Sequence, residues 1–172
     1  TITNRGVLNN IVIFIRFSGD SELATPYPTV DAMFNDTTVG ANSMVNYFRA
    51  ASYNQLEVKT FLYPAPNGTA IVSYEDDYQR SYYEPYSPSN PNGYQSESDR
   101  VIREHILLKN AVDAVAPSIP TSLNVDKDND GYVDNVCFVV KGNVGDWSDL
   151  LWPHKFNLYT QSAYINGKQV NV

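Results

Sequence analysis

The sequence predicts an α/β (α+β) domain with a twisted mixed sheet and two main helices, and three observations carry that prediction. Residues 10–17 (Asn-Ile-Val-Ile-Phe-Ile-Arg-Phe) form a dense β-branched and aromatic run, the composition of an interior strand. Apolar residues recur at helical spacing in residues 41–53 and again after Ser96. Residues 56–63 instead alternate, with Leu56, Val58, Thr60 and Leu62 opposing Glu57, Lys59, Phe61 and Tyr63, as a strand with two unlike faces does. Strands interleaved with helices in this order define the class.

The first strand is entered from Asn9-Asn10 and stopped by Ser18-Gly19-Asp20. The first helix carries Met44, Tyr47, Phe48 and Ala51 on one stripe. Asn54 follows it, and asparagine is the best non-glycine residue for a left-handed cap. Pro64 and Pro66 end the second strand and Asn67-Gly68 makes a turn. A third strand is predicted over residues 70–74, paired with the second as a hairpin or as a neighbour. Residues 75–95 are a long tyrosine-rich irregular segment, which either lines a functional surface or packs on its own rings.

Ser96, with Asp99 three residues later, is a capping-box variant that opens the second helix. Its stripe of Val101, Leu108, Val112 and Val115 runs to the breaker Pro117. His105 falls on that stripe and reads as a packing residue rather than a ligand. Next come an acidic loop, a strand over 135–141, a glycine-containing loop over 142–149, a strand over 156–161 and a hairpin around Asn166-Gly167. No internal repeat or linker interrupts residues 1–172, so a single domain is expected.

A length of 172 residues suits one hydrophobic core. With a net charge of −7 and no cluster of Lys or Arg, the chain is a poor partner for nucleic acid or anionic membranes. Thirteen tyrosines fit a broad cleft, a decorated surface or simply tyrosine-rich packing. The lone Cys137 excludes an internal disulfide framework and, within an apolar strand, reads as a small hydrophobe. No stretch approaches the roughly 18 apolar residues of a membrane span. No basic-plus-apolar leader opens the sequence, which points to a cytosolic chain or a mature, trimmed product.

The acidic loop carries the chemistry. Asp126, Asp128, Asp130 and Asp134 occupy relative positions 1, 3, 5 and 9, with Gly131 at 6 and the Tyr132 carbonyl available at 7. Calcium takes six to eight oxygens at about 2.3–2.6 Å, and alternate residues of a tight loop can aim theirs inward. The competing reading is a solvated acidic turn. This is not a complete EF-hand: position 12 is Cys137 rather than a glutamate, and a strand follows. A structural clamp is therefore expected rather than a sensor, in an extracellular or envelope setting.

A catalytic set is not visible. The two histidines, His105 and His154, are not paired at metal-binding spacing, Glu104-His105 is not part of H-E-x-x-H, and no G-x-S-x-G occurs. His154 reads as an anchor for the turn Trp152-Pro153-His154, with a place near a cleft as the alternative.

Several segments together resemble the secreted zinc metallopeptidases of the immune inhibitor A family. They are the strand over 10–17, residues 43–56 including Ser52-Tyr53-Asn54-Gln55-Leu56, Tyr82-Tyr83, the loop 126–134 leading into 136–142, and Leu151-Trp152-Pro153-His154. The Ser-Tyr-x-x-Leu and Asp-x-Asp-x-Asp-Gly-x-x-Asp pieces are the most specific. Asn54 stands where a glycine is usual, and keeps the same backbone role. The resemblance implies the amino-terminal part of a zinc-peptidase catalytic domain, whose H-E-x-x-H helix would follow residue 172. It implies protein or peptide substrates for the complete protein, zinc only there, and an inactive chain here, able to dimerise or to associate with the rest of its domain. The alternatives are a non-catalytic calcium-binding module for adhesion or carbohydrate contact, and a family member that has lost its zinc ligands.

Overall fold

The computed structural model describes residues 5–144 and 149–171. Part of the expected 142–149 loop and Val172 lie outside the described residues.

The fold is built around one strand. β1 (Gly6–Arg16) holds Ile11, Val12, Ile13, Phe14 and Ile15 at 0% exposure, the continuous apolar run of a strand covered on both faces. Burying each such side chain contributes about 1.5–3 kcal/mol. The period of two splits the run between two cores. Ile11, Ile13 and Ile15 join the core under the long helix α3 (Glu97–Val115), while Val12 and Phe14 join Val30, Leu62 and Ile71 on the opposite face.

Two short helices, α1 (Tyr27–Asn35) and α2 (Met44–Ala51), connect β1 to β2 (Leu56–Tyr63), which pairs with it in parallel. β3 (Tyr74–Glu75) pairs in parallel with Ile15 and Arg16, and β4 (Val136–Val140) with residues 11–15. Ile13 pairs with both β2 and β4, and Ile15 with both β3 and β4, so β4 has one edge of β1 while β2 and β3 share the other. The helices lie on both faces of this sheet. A separate antiparallel hairpin, β5 (Ala163–Ile165) and β6 (Lys168–Val170), packs Ala163, Ile165 and Val170 into the α3 core.

The α+β content agrees with the expectation, and several details differ. The expected mixed sheet separates into a wholly parallel four-stranded sheet and the isolated hairpin. α1 was not expected: Pro26 and Pro28 flank its start, no side chain caps it, and Val30 is its buried residue. Residues 67–70 form a small turn of their own, bridged Asn67 to Ala70, so β2 and β3 are not a hairpin. Residues 156–161 are irregular: Leu158 alone of them is buried, and among the described residues no strand pairs with them.

The caps follow the sequence closely. Ser43 Oγ accepts Asn46 N–H, and Ser96 Oγ accepts Asp99 N–H while Asp99 returns the bond to Gln95 N–H. Tyr53 and Asn54 both take positive φ after α2, and Asn54 N–H donates to Arg49 C=O at 2.7 Å. On α2 itself the buried residue is Val45, and Tyr47, expected on the apolar stripe, faces solvent.

The tyrosine-rich segment packs on its own rings. Tyr78 and Tyr82 stack at 4.0 Å, Arg103 lies over Tyr82 at 3.9 Å, and Tyr83 is buried against Phe17.

Candidate metal centre

The acidic loop is folded by its own polar groups. Backbone N–H groups of Asp130 and Gly131 donate to the two carboxylate oxygens of Asp126, each at 3.0 Å. Asp130 Oδ1 accepts Tyr132 N–H at 2.9 Å, Asp134 Oδ2 accepts Lys127 N–H at 2.9 Å, and Asp134 N–H closes the loop on Val125 C=O at 2.8 Å. The two tight reversals fall at Asn129 (φ 57°) and Gly131 (φ 93°), residue types that enter the left-handed region at least cost.

The hairpin holds the loop from the side. Val133 N–H donates to Gln169 C=O at 2.8 Å and Gln169 N–H to Gly131 C=O at 3.0 Å. In extended backbone the N–H and C=O of one residue face the same edge. Those of Tyr132 therefore face away from Gln169, on the side where Asp130 accepts the Tyr132 N–H. Lys168 Nζ reaches the buried Asp126 at 2.7 Å from Oδ2.

Asp126, Asp128 and Asp130 each present one oxygen, and these oxygens all lie within 4.8 Å of one another. Two donors on one ion bonded at 2.3–2.6 Å lie no more than about 5.2 Å apart, so this spacing fits a shared cation. An all-oxygen donor set suits a hard cation. Asp134, the fourth carboxylate of the motif, lies outside this trio. The ends of the loop are tuned in opposite directions. Lys168, aided by the Asp130 and Gly131 N–H groups, holds the Asp126 carboxyl below its ordinary range. Burial pushes the Asp134 carboxyl up; the Lys127 N–H opposes this, and the charges of Asp128, Asp126 and Asp130 add to it.

Zinc does not fit the described residues, among which the aspartate trio is the one group of three or more candidate ligands close enough to hold an ion. His105 Nδ1 is taken by Thr160, and His154 is engaged by Glu104 at 2.7 Å from Nε2 and by the Trp152 carbonyl at Nδ1. Cys137 is half-buried beside Asn135, whose amide donates to its sulfur.

His154 belongs to a second feature. A cavity of about 460 Å³ runs beside β4, lined among others by Glu104, Leu107, Phe138, Leu151, Trp152 and His154. Burial pushes the Glu104 carboxyl up and His154 pulls it back down. Sequence reasoning missed Glu104, although a carboxylate three residues after Val101 and four before Leu108 sits on the apolar stripe. It also missed Lys168, for which the sequence carries no signal.

A scan against protein-family models and a search of curated proteins each returned no match for this chain. Among the described residues, no helix is long and apolar enough to cross a membrane.

Proposed function

We propose that loop 126–134 holds a structural calcium ion within the amino-terminal part of a secreted zinc-dependent endopeptidase domain of the immune inhibitor A type. The calcium reading is carried by one observation, the convergence of Asp126, Asp128 and Asp130 to within 4.8 Å. Calcium rather than magnesium is favoured because magnesium usually keeps several waters and takes one or two carboxylates. The loop precedes β4 and so lies at the amino-terminal end of the parallel sheet. Ligands of such sheets gather at the opposite, carboxyl ends of the strands, which supports a clamp rather than a reactive centre.

The peptidase reading rests on the motifs given above. In the complete protein a zinc ion would supply an activated water to attack a peptide carbonyl. No residue of this chain is assigned to hold it, so the 172 residues alone are inactive and peptide substrates are those of the longer protein. A second reading, a calcium-stabilised module for adhesion or carbohydrate contact, is favoured by the exposed rings of Tyr78, Tyr86, Tyr159 and Tyr164.

The test is thermal unfolding in chelator and in calcium. Calcium at a hundred times its Kd is expected to add about 2.7 kcal/mol of stability, and Asp128→Ala to remove most of that gain. An unchanged melting temperature in metal-stripped buffer sinks the clamp. Zinc-dependent cleavage of casein by this chain alone overturns the assignment of catalysis to the longer protein.

A further inference from the structure

We propose that Asn67-Gly68 is a self-modifying site, where asparagine deamidates through a cyclic imide while the fold holds the pairs Asn92-Gly93 and Asn166-Gly167 unreactive. Glycine after asparagine leaves its backbone nitrogen sterically open, so sequence alone ranks the three pairs equally. The structure separates them.

In the reaction the Gly68 backbone nitrogen attacks Asn67 Cγ. A C–N bond forms and closes a five-membered imide, the Cγ–Nδ2 bond breaks, and ammonia leaves with the proton given up by the Gly68 N–H. Water then opens the ring at one carbonyl or the other, yielding aspartate or isoaspartate. The reaction needs a free side-chain amide, an unengaged glycine nitrogen, and water.

Asn67 and Gly68 meet all three needs. Both are exposed. The backbone of Asn67 is bonded to Ala70 in both directions, at 3.1 and 3.0 Å, and this frames a turn in which Gly68 takes φ 60°. The hydrogen bonds of the turn use neither the Asn67 side chain nor the Gly68 N–H.

The other two pairs each fail one need. Gly93 is buried, and its N–H, the nucleophile of that pair, is already engaged, donating to Asn90 C=O at 3.2 Å. At Asn166 the departing amide is held, with Nδ2 donating to Pro120 C=O at 2.9 Å and to Leu123 C=O at 3.3 Å.

The product matters to the fold. Isoaspartate adds a methylene to the main chain inside a tight turn, and the next residue, Thr69, accepts the Tyr27 N–H at 2.8 Å at the start of α1. Modification therefore loosens the seat of α1.

The experiment ages the folded chain at mildly alkaline pH and follows the three Asn-Gly peptides by mass spectrometry and isoaspartate methylation. The parallel arm is the same chain in denaturant. In the folded arm the Asn67 peptide is expected to be lost to its two acid isomers while the Asn92 and Asn166 peptides persist. In denaturant all three are lost together. Conversion of Asn92 or Asn166 as fast as Asn67 in the folded chain overturns the proposal. So does an intact Asn67 under conditions where the denatured chain reacts.

Discussion

Lys168 Nζ lies 2.7 Å from Asp126 Oδ2 and joins the β5–β6 hairpin to the carboxylate that organises the acidic loop. The loop therefore carries its own positive charge at the place where a cation would gather the same oxygens. On the proposed calcium reading, lysine and the ion would compete for one carboxylate.

Lys168→Met separates the two roles. The substitution keeps the apolar stem and removes the ammonium. In chelator it is expected to melt below the parent, because Asp126 loses its counter-charge. In calcium the difference narrows, because the ion supplies that charge, and the calcium-induced shift in Tm exceeds that of the parent. Equal shifts for the two proteins, measured by scanning calorimetry, would show that Lys168 and the ion do not share Asp126.

Tyr83 ties the tyrosine-rich segment to the sheet. Its hydroxyl donates to Asp76 Oδ2 at 2.7 Å, and the same buried carboxylate accepts Tyr78 N–H at 3.0 Å and the Tyr74 hydroxyl at 3.3 Å. Burial and Asp76 push the Tyr83 hydroxyl far up, and burial first, then Asp76, push that of Tyr74 up to about 12, so both stay protonated donors. Tyr83→Phe removes one of three donors to a buried charge, a loss of about 1–3 kcal/mol. At this chain length each kcal/mol moves Tm by roughly 2–4 °C. The measurement is a denaturant melt of the variant, and a loss below about 0.5 kcal/mol, the usual size of a surface change, counts against the tie.

The parts of the fold legible in the sequence are those where one period dominates. β1 is legible because both its faces are buried, which leaves an unbroken apolar run, and α3 because Ser96 and Asp99 mark its start. α1 escaped notice because its first turn holds Pro28 and only Val30 is buried, so neither stripe nor cap stands out. Residues 156–161 alternate like a strand, yet among the described residues no strand pairs with them; Thr160 is instead held by His105. The aspartate trio was legible because its carboxylates are local in sequence. Lys168 and Glu104 were not, since each becomes part of a site only when distant segments meet.

Gly93 is required for its lack of a side chain rather than for its φ. A Cβ there would lie 2.5 Å from Pro85 C and O and 2.6 Å from Glu84 O, all backbone atoms with no freedom to yield. The same place holds the bonds Tyr94 N–H to Glu84 C=O at 3.0 Å and Tyr86 N–H to Tyr94 C=O at 2.9 Å. Gly93→Ala is expected to part these two backbone segments locally, costing about 1–3 kcal/mol as overpacking does. Limited proteolysis reads it directly: new cleavage within residues 84–95 while β1 stays protected. A cleavage pattern identical to the parent argues that the loop absorbs the methyl.

His105 sets a pH dependence. It is 1% exposed, with Nδ1 2.7 Å from Thr160 Oγ1 and accepting Thr160 N–H at 3.3 Å, and with Tyr159 edge-on at 4.9 Å. Accepting at Nδ1 places the single proton of the neutral ring on Nε2, which has no hydrogen-bond partner. Burial pushes the imidazole below its ordinary value of 6.5. Below that value the unfolded chain binds a proton that the native chain refuses, so stability falls as pH drops from 6.5 toward the lowered native pKa. Above 6.5 the contribution is complete. The steepest slope one such group can add is about 1.4 kcal/mol per pH unit. His105→Asn offers Thr160 an acceptor at the Nδ1 position but does not titrate. Between about pH 7.5 and 5.5 the parent is expected to lose more Tm than this variant, the two curves converging in slope above the ordinary histidine range. Parallel curves across the whole interval would assign the acid-side loss to other groups.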